Sequence, residues 1–285
     1  MRKSTCAAAS FALLATPAFA DDGPFADKSA YTLFNPVPDD QMRTFGTDRP
    51  TKSDWPTTVD AGHFQYEADA INWSYNHDGS ARTTASTLAL FAPTLKAGLT
   101  QNADLEIAVA PVTVERSSMA GTHSSAVAFG DVFARVKYNF LGNEGGDYSL
   151  AVVPYLKAPT GTHGIGNHHW EGGWYAPFAA TLPDDWTLQI TSELDVLENG
   201  NLNGVHLNYQ NLVNLNHPLF ADNLTGYVEF WSDVDNDGAT PTKLTLDLAA
   251  SWLVHENLQF DVGVNIGLNT AAGQVQPYLG ISQRF

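Results

Sequence analysis

The stretch Gln276-Pro277-Tyr278-Leu279-Gly280-Ile281-Ser282-Gln283-Arg284-Phe285 ends the chain and alternates apolar with polar side chains. Leu279, Ile281 and Phe285 fall on one parity, and Ser282 and Arg284 fall on the other. A period of two predicts a strand with one apolar and one polar face. A strand at the chain end has no following segment to cover its edge, and a closed barrel pairs every edge. The stretch therefore predicts a β-barrel.

The N-terminal residues have the features of a secretory signal. Arg2 and Lys3 precede a short apolar run over residues 6–15, and Ala18-Phe19-Ala20 is a small-x-small cleavage site. We therefore expect residues 1–20 to be a signal peptide, with the exported chain beginning near Asp21. The only cysteine, Cys6, lies inside this segment, so the exported chain would form no disulfide.

The charge balance narrows the classes of partner and fold. The chain has 14 Lys+Arg against 31 Asp+Glu, and loss of Arg2 and Lys3 lowers the basic count from 14 to 12. Such an acidic chain does not suit nucleic acid. After the signal there is no apolar run of the ~18 residues that a membrane helix requires. A membrane protein with this sequence would have to be a barrel, and the soluble alternative is a sandwich or jelly roll.

Alternating runs recur along the chain and predict an all-β, antiparallel, up-and-down transmembrane barrel over residues 59–285. Together with less regular runs they give about twelve strands, an even number as bacterial barrels have. Short links, such as residues 142–147 and 255–257, alternate with longer loops, such as residues 116–130 and 160–173. This alternation is typical of outer-membrane barrels and places both termini on the periplasmic side, with outer-membrane lipid around the wall.

Most charged residues of these strands fall on the polar parity and are predicted to line the lumen. Two interpretations remain open: the basic members neutralise neighbouring carboxylates and hold the barrel shut, or the set lines a permeation path. The predicted lumen-lining residues are Glu67, Asp69, Glu106, Arg135, Lys137, Lys157, Glu193, Asp195, Glu229, Asp247, Asp261 and Arg284.

Residues 21–58 form an irregular N-terminal segment with five prolines, too many for a strand, and with aromatic anchors such as Phe45 and Trp55. Such a segment can plug a barrel, and its cations Arg43, Arg49 and Lys52 would then meet the acidic wall. The alternative is an arm that lies beneath the barrel on the periplasmic side.

Two motifs near the end of this segment carry a family resemblance. Thr47-Asp48-Arg49-Pro50 is a "TDRP" box, and Gly62-His63-Phe64-Gln65-Tyr66-Glu67 is a "G-x-F-Q-x-E" first strand. From the box to Phe285 the sequence resembles the outer-membrane family named for the MetA pathway of phenol degradation. The resemblance implies a barrel of the cell outer membrane that passes hydrophobic or aromatic compounds. It also implies that the terminal Phe285 is an assembly signal, with the barrel assembly machinery as its partner.

Three other groups of residues suggest chemistry more weakly. Asp233, Asp235 and Asp237 match the start of a calcium loop, but Leu244 replaces the bidentate Glu at the twelfth position, so an EF-hand is excluded and an acidic loop is favoured. The histidines of residues 163–169 are better explained as surface residues than as a metal site. Ser192 and His206 have opposite parity and no nucleophile elbow, so we expect no enzyme and no cofactor.

The sequence as a whole predicts a porin-like outer-membrane channel or transporter for small hydrophobic or aromatic solutes. The alternative is a closed structural or surface-interaction barrel without transport.

Overall fold

The computed structural model describes residues 27–79, 82–109, 112–119, 121–162, 166–200 and 204–285. The predicted signal peptide and the first residues of the irregular segment, up to 26, lie outside this part of the chain. A single 3₁₀ turn, Asp39–Gln41, is the only helical element among the described residues. No described helix has the length and hydropathy to span a membrane.

Within the described ranges, fourteen strands form one antiparallel sheet. They are β1 Phe64–Asp78, β2 Thr83–Thr100, β3 Ala103–Val109, β4 Val112–Met119, β5 Thr122–Ala128, β6 Val132–Leu141, β7 Tyr148–Ala158, β8 Glu171–Thr181, β9 Thr187–Glu198, β10 Val205–Pro218, β11 Leu224–Asp235, β12 Lys243–His255, β13 Leu258–Gly267 and β14 Val275–Arg284.

The sheet closes on itself because β1 pairs with β2 on one edge and with β14 on the other. The seam runs from Gln65 opposite Arg284 to Tyr75 opposite Val275. At its end the Phe285 N–H donates to the Phe64 carbonyl at 2.8 Å, and the Phe64 N–H donates back at 3.2 Å. The result is the predicted closed barrel of 12 strands, with the terminal strand sealing it.

Two further strands, β4 and β5, extend the wall beyond the barrel. The long strand β2 pairs with β3 through its second half and with β4 through its first half, Thr83 to Leu90. The prediction of a loop over residues 116–130 was wrong, since β4 and β5 form a hairpin turned at Gly121, whose φ is 88°. The hairpin is exposed on both faces over Glu115 to Met119. Because neither face is buried there, the sequence has no need of the apolar alternation that marks the barrel strands.

The barrel is apolar outside and polar inside, as the parity of its strands predicts. Glu106, Glu229 and Asp247 are 0% exposed, whereas the outward Phe140 and Phe285 are 63% and 61% exposed. In a protein surrounded by lipid the outer face is the apolar one, and charge there is costly. The protein is a closed β-barrel, and its buried core is the polar network within the lumen.

Both ends of the barrel can be defined by their connections. The short turns, such as that between β2 and β3, lie at the same end as Phe64 and Phe285, which is here called the turn end. The longer connections, including the described residues 160–162 and 166–170 and the residues 236–242, lie at the other end, here called the loop end.

Candidate functional site

The lumen is occupied by residues 46–58, here called the luminal segment. The backbone N–H groups of Asp48 and Arg49 donate to Glu67 on β1, at 3.0 and 3.2 Å. Those of Lys52 and Ser53 each donate to Glu229 on β11 at 3.0 Å. These strands lie on different sides of the wall, so the segment crosses the interior and has its backbone donors satisfied by wall carboxylates.

Arg49 holds the segment to the wall with both arms of its guanidinium. One arm donates to Asp69 at 2.6 Å, and the other donates to Asp261 at 3.0 and 2.7 Å. Its carbon Cζ lies 5.7 Å from the centre of the Tyr278 ring. A Cβ at Gly280 would lie 2.0 Å from the guanidinium, so the absence of a side chain at Gly280 provides the space that Arg49 fills.

Lys52 makes a second contact with the wall, on the neighbouring strands. Its ammonium donates to Asp247 and, at 3.0 Å, to the hydroxyl of Thr245. The same Nζ lies 4.6 Å from the centre of the Trp231 ring, which is a cation–π distance. Two of the three predicted plug cations therefore contact wall carboxylates.

Arg43, the third predicted plug cation, lies at the turn end and does not contact the wall carboxylates of the strands. Its guanidinium donates to Glu144 at 2.6 Å and to the Gln101 carbonyl at 2.5 Å. Lys28 pairs with the same Glu144 at 2.8 Å and with Asp60 at 3.1 Å. The first described part of the irregular segment thus packs against the turns, as the arm alternative predicts, while the later part enters the lumen.

A carboxylate of the segment, Asp48, is bound by two lysines of the wall. Lys137 donates to it at 2.7 Å, and Lys96 also forms an ion pair with it. Asp48, Asp54 and Glu106 form the one group of three metal-ligating side chains with closely spaced oxygens in the described part of the chain. The two ammonium groups lie beside these oxygens and supply the positive charge that a metal ion would.

The remaining predicted lumen residues lie on the inner face without contacting the luminal segment through an ion pair. Lys157 pairs with Glu171 at 2.7 Å, and Asp195 accepts from Tyr155 at 2.5 Å. Arg284, at the turn end, donates to Asn257 at 2.7 Å and to the Arg43 carbonyl at 2.9 Å. Arg135 and Glu193 also face the lumen and line a cavity at its loop-end side.

Cavities lie on both sides of residues 51–55. Lys52 and Asp54 line a cavity of about 290 Å³ toward the loop end. Thr51, Ser53 and Trp55 line a cavity of about 210 Å³ toward the turn end. Alternate residues of this extended stretch therefore face opposite cavities, and the stretch forms a septum between them.

Sequence reasoning missed several residues that hold the segment. Lys96 lies on the polar parity of the predicted strand over residues 87–96, which could have identified it, and Asp48 is part of the quoted box. Lys28 and Asp60 lie in irregular chain with no period, so nothing in the sequence indicates their contact. Tyr175, which donates to Asp54, has an aromatic side chain that parity alone does not connect to the segment.

The weaker candidates have local partners instead of forming a site. Asp233 accepts from Lys243 at 2.8 Å, and Asp235 lies 2.9 Å from the His206 ring. Asp237 accepts a hydrogen bond from the Thr240 hydroxyl and further ones from the backbone N–H groups of Thr240 and Ala239. These hydrogen bonds lower the pKa of Asp237 to about 2. Ser192 donates to Asn211 on the outer face and has no contact with His206. Of the loop histidines, His163 lies outside the described residues.

Comparison with known proteins supplies the family. The family model described as "Putative MetA-pathway of phenol degradation" matches residues 47–285. The chain belongs to this family. The match begins at the quoted box, so it includes most of the luminal segment as well as the barrel. No curated protein matches the chain.

Solved structures with a similar fold include an outer membrane channel, a porin and the translocator domain of an autotransporter. An outer membrane channel from Pseudomonas putida F1 has 14% sequence identity and a TM-score of 0.60, over 83% of this chain and 99% of that one. The KdgM porin has 11% identity and a TM-score of 0.48, over 78% of this chain and 99% of that one. The translocator domain of the autotransporter NalP from Neisseria meningitidis has 12% identity and a TM-score of 0.48, over 78% and 88%.

Proposed function

We propose that the protein is an outer-membrane channel for small solutes in which the luminal segment restricts passage. The observation that carries the proposal is the septum of residues 51–55, with a cavity of about 290 Å³ on one side and about 210 Å³ on the other. A barrel whose only role is structural has no need for solvent-sized space on both sides of a thin partition.

The chemistry of the lumen supports aromatic solutes over purely aliphatic ones. The loop-end cavity has Phe133, Tyr155 and Tyr175 in its lining, together with charged groups. Aromatic rings have polar edges and faces that suit such mixed surroundings, whereas an alkyl chain would desolvate charges without compensation. The proposed substrates are therefore small aromatic molecules that carry a polar group.

One observation favours a closed barrel as the second candidate function. Arg49, Lys52 and Asp48 attach the segment to several strands, and the side chains of Asp247 and Asp261 in these pairs are 0% exposed. Removing one partner of such a buried ion pair leaves the other charge buried without compensation, which is strongly destabilising. The pairs therefore resist displacement of the segment. In that case the segment acts as a strut that stiffens the wall.

Deletion of residues 21–54 separates the two functions. The truncated and full-length chains are reconstituted in planar bilayers and in liposomes, and single-channel conductance and uptake of a small aromatic solute are measured. A channel restricted by the segment gains conductance and uptake on deletion. If gel mobility shows that both proteins are folded, equal conductance would contradict the channel function and favour the strut.

A further inference from the structure

We propose that the outer face of strands β2, β4 and β5, at the loop end, binds the phosphorylated headgroup of a glycolipid in the outer leaflet of the membrane. The long loops of bacterial barrels face outward, so the loop end lies at this leaflet. The site is on the outside of the wall, and the inference therefore goes beyond the proposed channel and does not depend on conduction. Its ligand is a component of the surrounding membrane and not the solute.

The first argument is an apolar row that marks where lipid contacts this part of the wall. The ladder pairings place residues of neighbouring strands side by side, and one such row consists of Trp73, Leu88, Val114 and Val127. The exposed apolar side chains of Trp73 and Val127 place the row on the outer face. The Trp73 ring also lies 5.8 Å from that of Tyr75, the next outward residue of β1. Such aromatic residues form the girdles of outer-membrane barrels at the membrane–water interface, so the lipid boundary runs at this level.

The second argument is the change to polar residues in the next two rows toward the loop end. The first of these rows consists of Tyr75, Ser86, Arg116 and Ser125, and the second consists of His77, Thr84, Ser118 and His123. Successive residues on one face of a strand are about 7 Å apart, so the Arg116 row lies about 7 Å from the apolar row. This distance places the Arg116 row in the interfacial region, at the depth of the lipid headgroups.

The third argument is the charge of the cavity that these polar rows form. The cavity has a volume of about 300 Å³, and its lining consists of Arg116, His123, five serines and one threonine, with no carboxylate. Glu115, the residue before Arg116, faces the other side of the sheet because side chains alternate along a strand. By contrast, every lysine in the described ranges forms an ion pair with a carboxylate. The cavity is thus a positive site on a chain with 31 acidic and 14 basic residues.

Phosphate is the anion that suits these groups. A guanidinium binds phosphate through two parallel N–H···O bonds, and such charge-assisted bonds are roughly twice as strong as neutral ones. Ser86 and Ser125 lie directly opposite Arg116 on the two neighbouring strands, and their hydroxyls can donate to the remaining phosphate oxygens.

The continuity of the polar and apolar rows favours a lipid over a soluble phosphate. The acyl chains of a glycolipid can lie along Leu88 and Val114 while its headgroup contacts Arg116, in the adjacent row. A soluble phosphate would contact the polar rows alone and gain nothing from the apolar surface beside them.

The test is binding of lipid A, an acylated and phosphorylated glycolipid, to the full-length chain in detergent micelles. Native mass spectrometry measures the fraction of protein that carries bound lipid as the lipid A concentration rises. We expect saturable binding that is lost when the lipid A has been dephosphorylated. Arg116→Gln should weaken binding about tenfold, the loss expected for hydrogen bonds to a charged group. The matched control is Lys243→Gln, which removes one positive charge at the loop end of β12, in another part of the wall, and should leave the affinity unchanged.

Ser125→Glu is a second variant, for the case that Arg116→Gln does not fold as judged by unboiled gel mobility. It places a carboxylate directly opposite Arg116 and should weaken lipid A binding at least as much. Equal affinity of the wild type and the folded site variants would overturn the site, and so would equal binding of phosphorylated and dephosphorylated lipid A. Displacement of lipid A by inorganic phosphate at equal concentration would assign the site to a soluble anion and overturn the lipid ligand.

Discussion

Replacement of Arg49 by methionine tests whether the luminal segment restricts the lumen. The change removes the guanidinium and keeps an unbranched side chain of similar length. It leaves Asp69 and Asp261 without their cation, and the Asp261 side chain is 0% exposed while that of Asp69 is 20% exposed. Removing one partner of a buried ion pair costs about 3–5 kcal/mol, and the partial exposure of Asp69 favours the lower end.

A loss of about 3 kcal/mol in the attachment of the segment corresponds to roughly a hundredfold increase in the ratio of displaced to seated segment. In planar bilayers Arg49→Met should therefore open to the larger conductance level far more often than the wild type. The two uncompensated carboxylates should also increase the preference of the open state for cations over anions.

The matched control is Arg116→Met, which removes an exposed arginine of the β4–β5 hairpin, outside the lumen. This variant should leave the bilayer current trace unchanged. Unaltered conductance and unaltered ion selectivity in folded Arg49→Met would refute the reasoning. The segment would then stay in place by its other contacts, or would not limit the current at all.

Three further outcomes are expected. Unboiled protein should migrate differently from boiled protein on a detergent gel, because a closed barrel has no free edge at which to unravel; identical migration would count against closure. Deletion of Phe285, whose backbone pairs with Phe64 and whose ring lies 6.0 Å from that of Tyr66, should lower the amount in the outer membrane while export continues. This is measured by membrane fractionation, and normal surface levels would contradict it. Gly280→Ala should reproduce Arg49→Met in weaker form, since the new Cβ would lie 2.0 Å from the guanidinium, whereas Gly200→Ala meets nothing within 4 Å and serves as the control. Identical bilayer traces for the two alanine variants would oppose the close fit.

The barrel could be predicted from the sequence because each wall residue faces either lipid or lumen. Leu279 is 49% exposed and Ser282 is 0% exposed, as their parity in the last strand predicts. The β4–β5 hairpin could not be predicted, since both of its faces are exposed and no alternation marks it.

The candidate site was predictable only in part. The presence of cations in a proline-rich segment indicated a plug, and Arg49 and Lys52 lie against acidic wall residues. Their individual partners depend on how far the segment enters the lumen, and sequence periodicity says nothing about depth in an irregular chain. For this reason Asp247 and Asp261 pair with the segment, while Glu193, which was equally eligible by parity, does not.

The seam between the first and last strands sets an order of events for biogenesis. Phe64 and Phe285 stand at opposite ends of the barrel sequence, so their contact cannot form until all fourteen described strands have been synthesised. The luminal segment ends at residue 58, a few residues before Phe64, and is therefore joined closely to the first strand of the seam. Because the segment is joined to the first strand and fills the closed lumen, we expect it to be in place when the seam forms, so that Lys96 and Lys137 have their countercharge in Asp48. We therefore expect closure of the wall and placement of the luminal segment to be coupled.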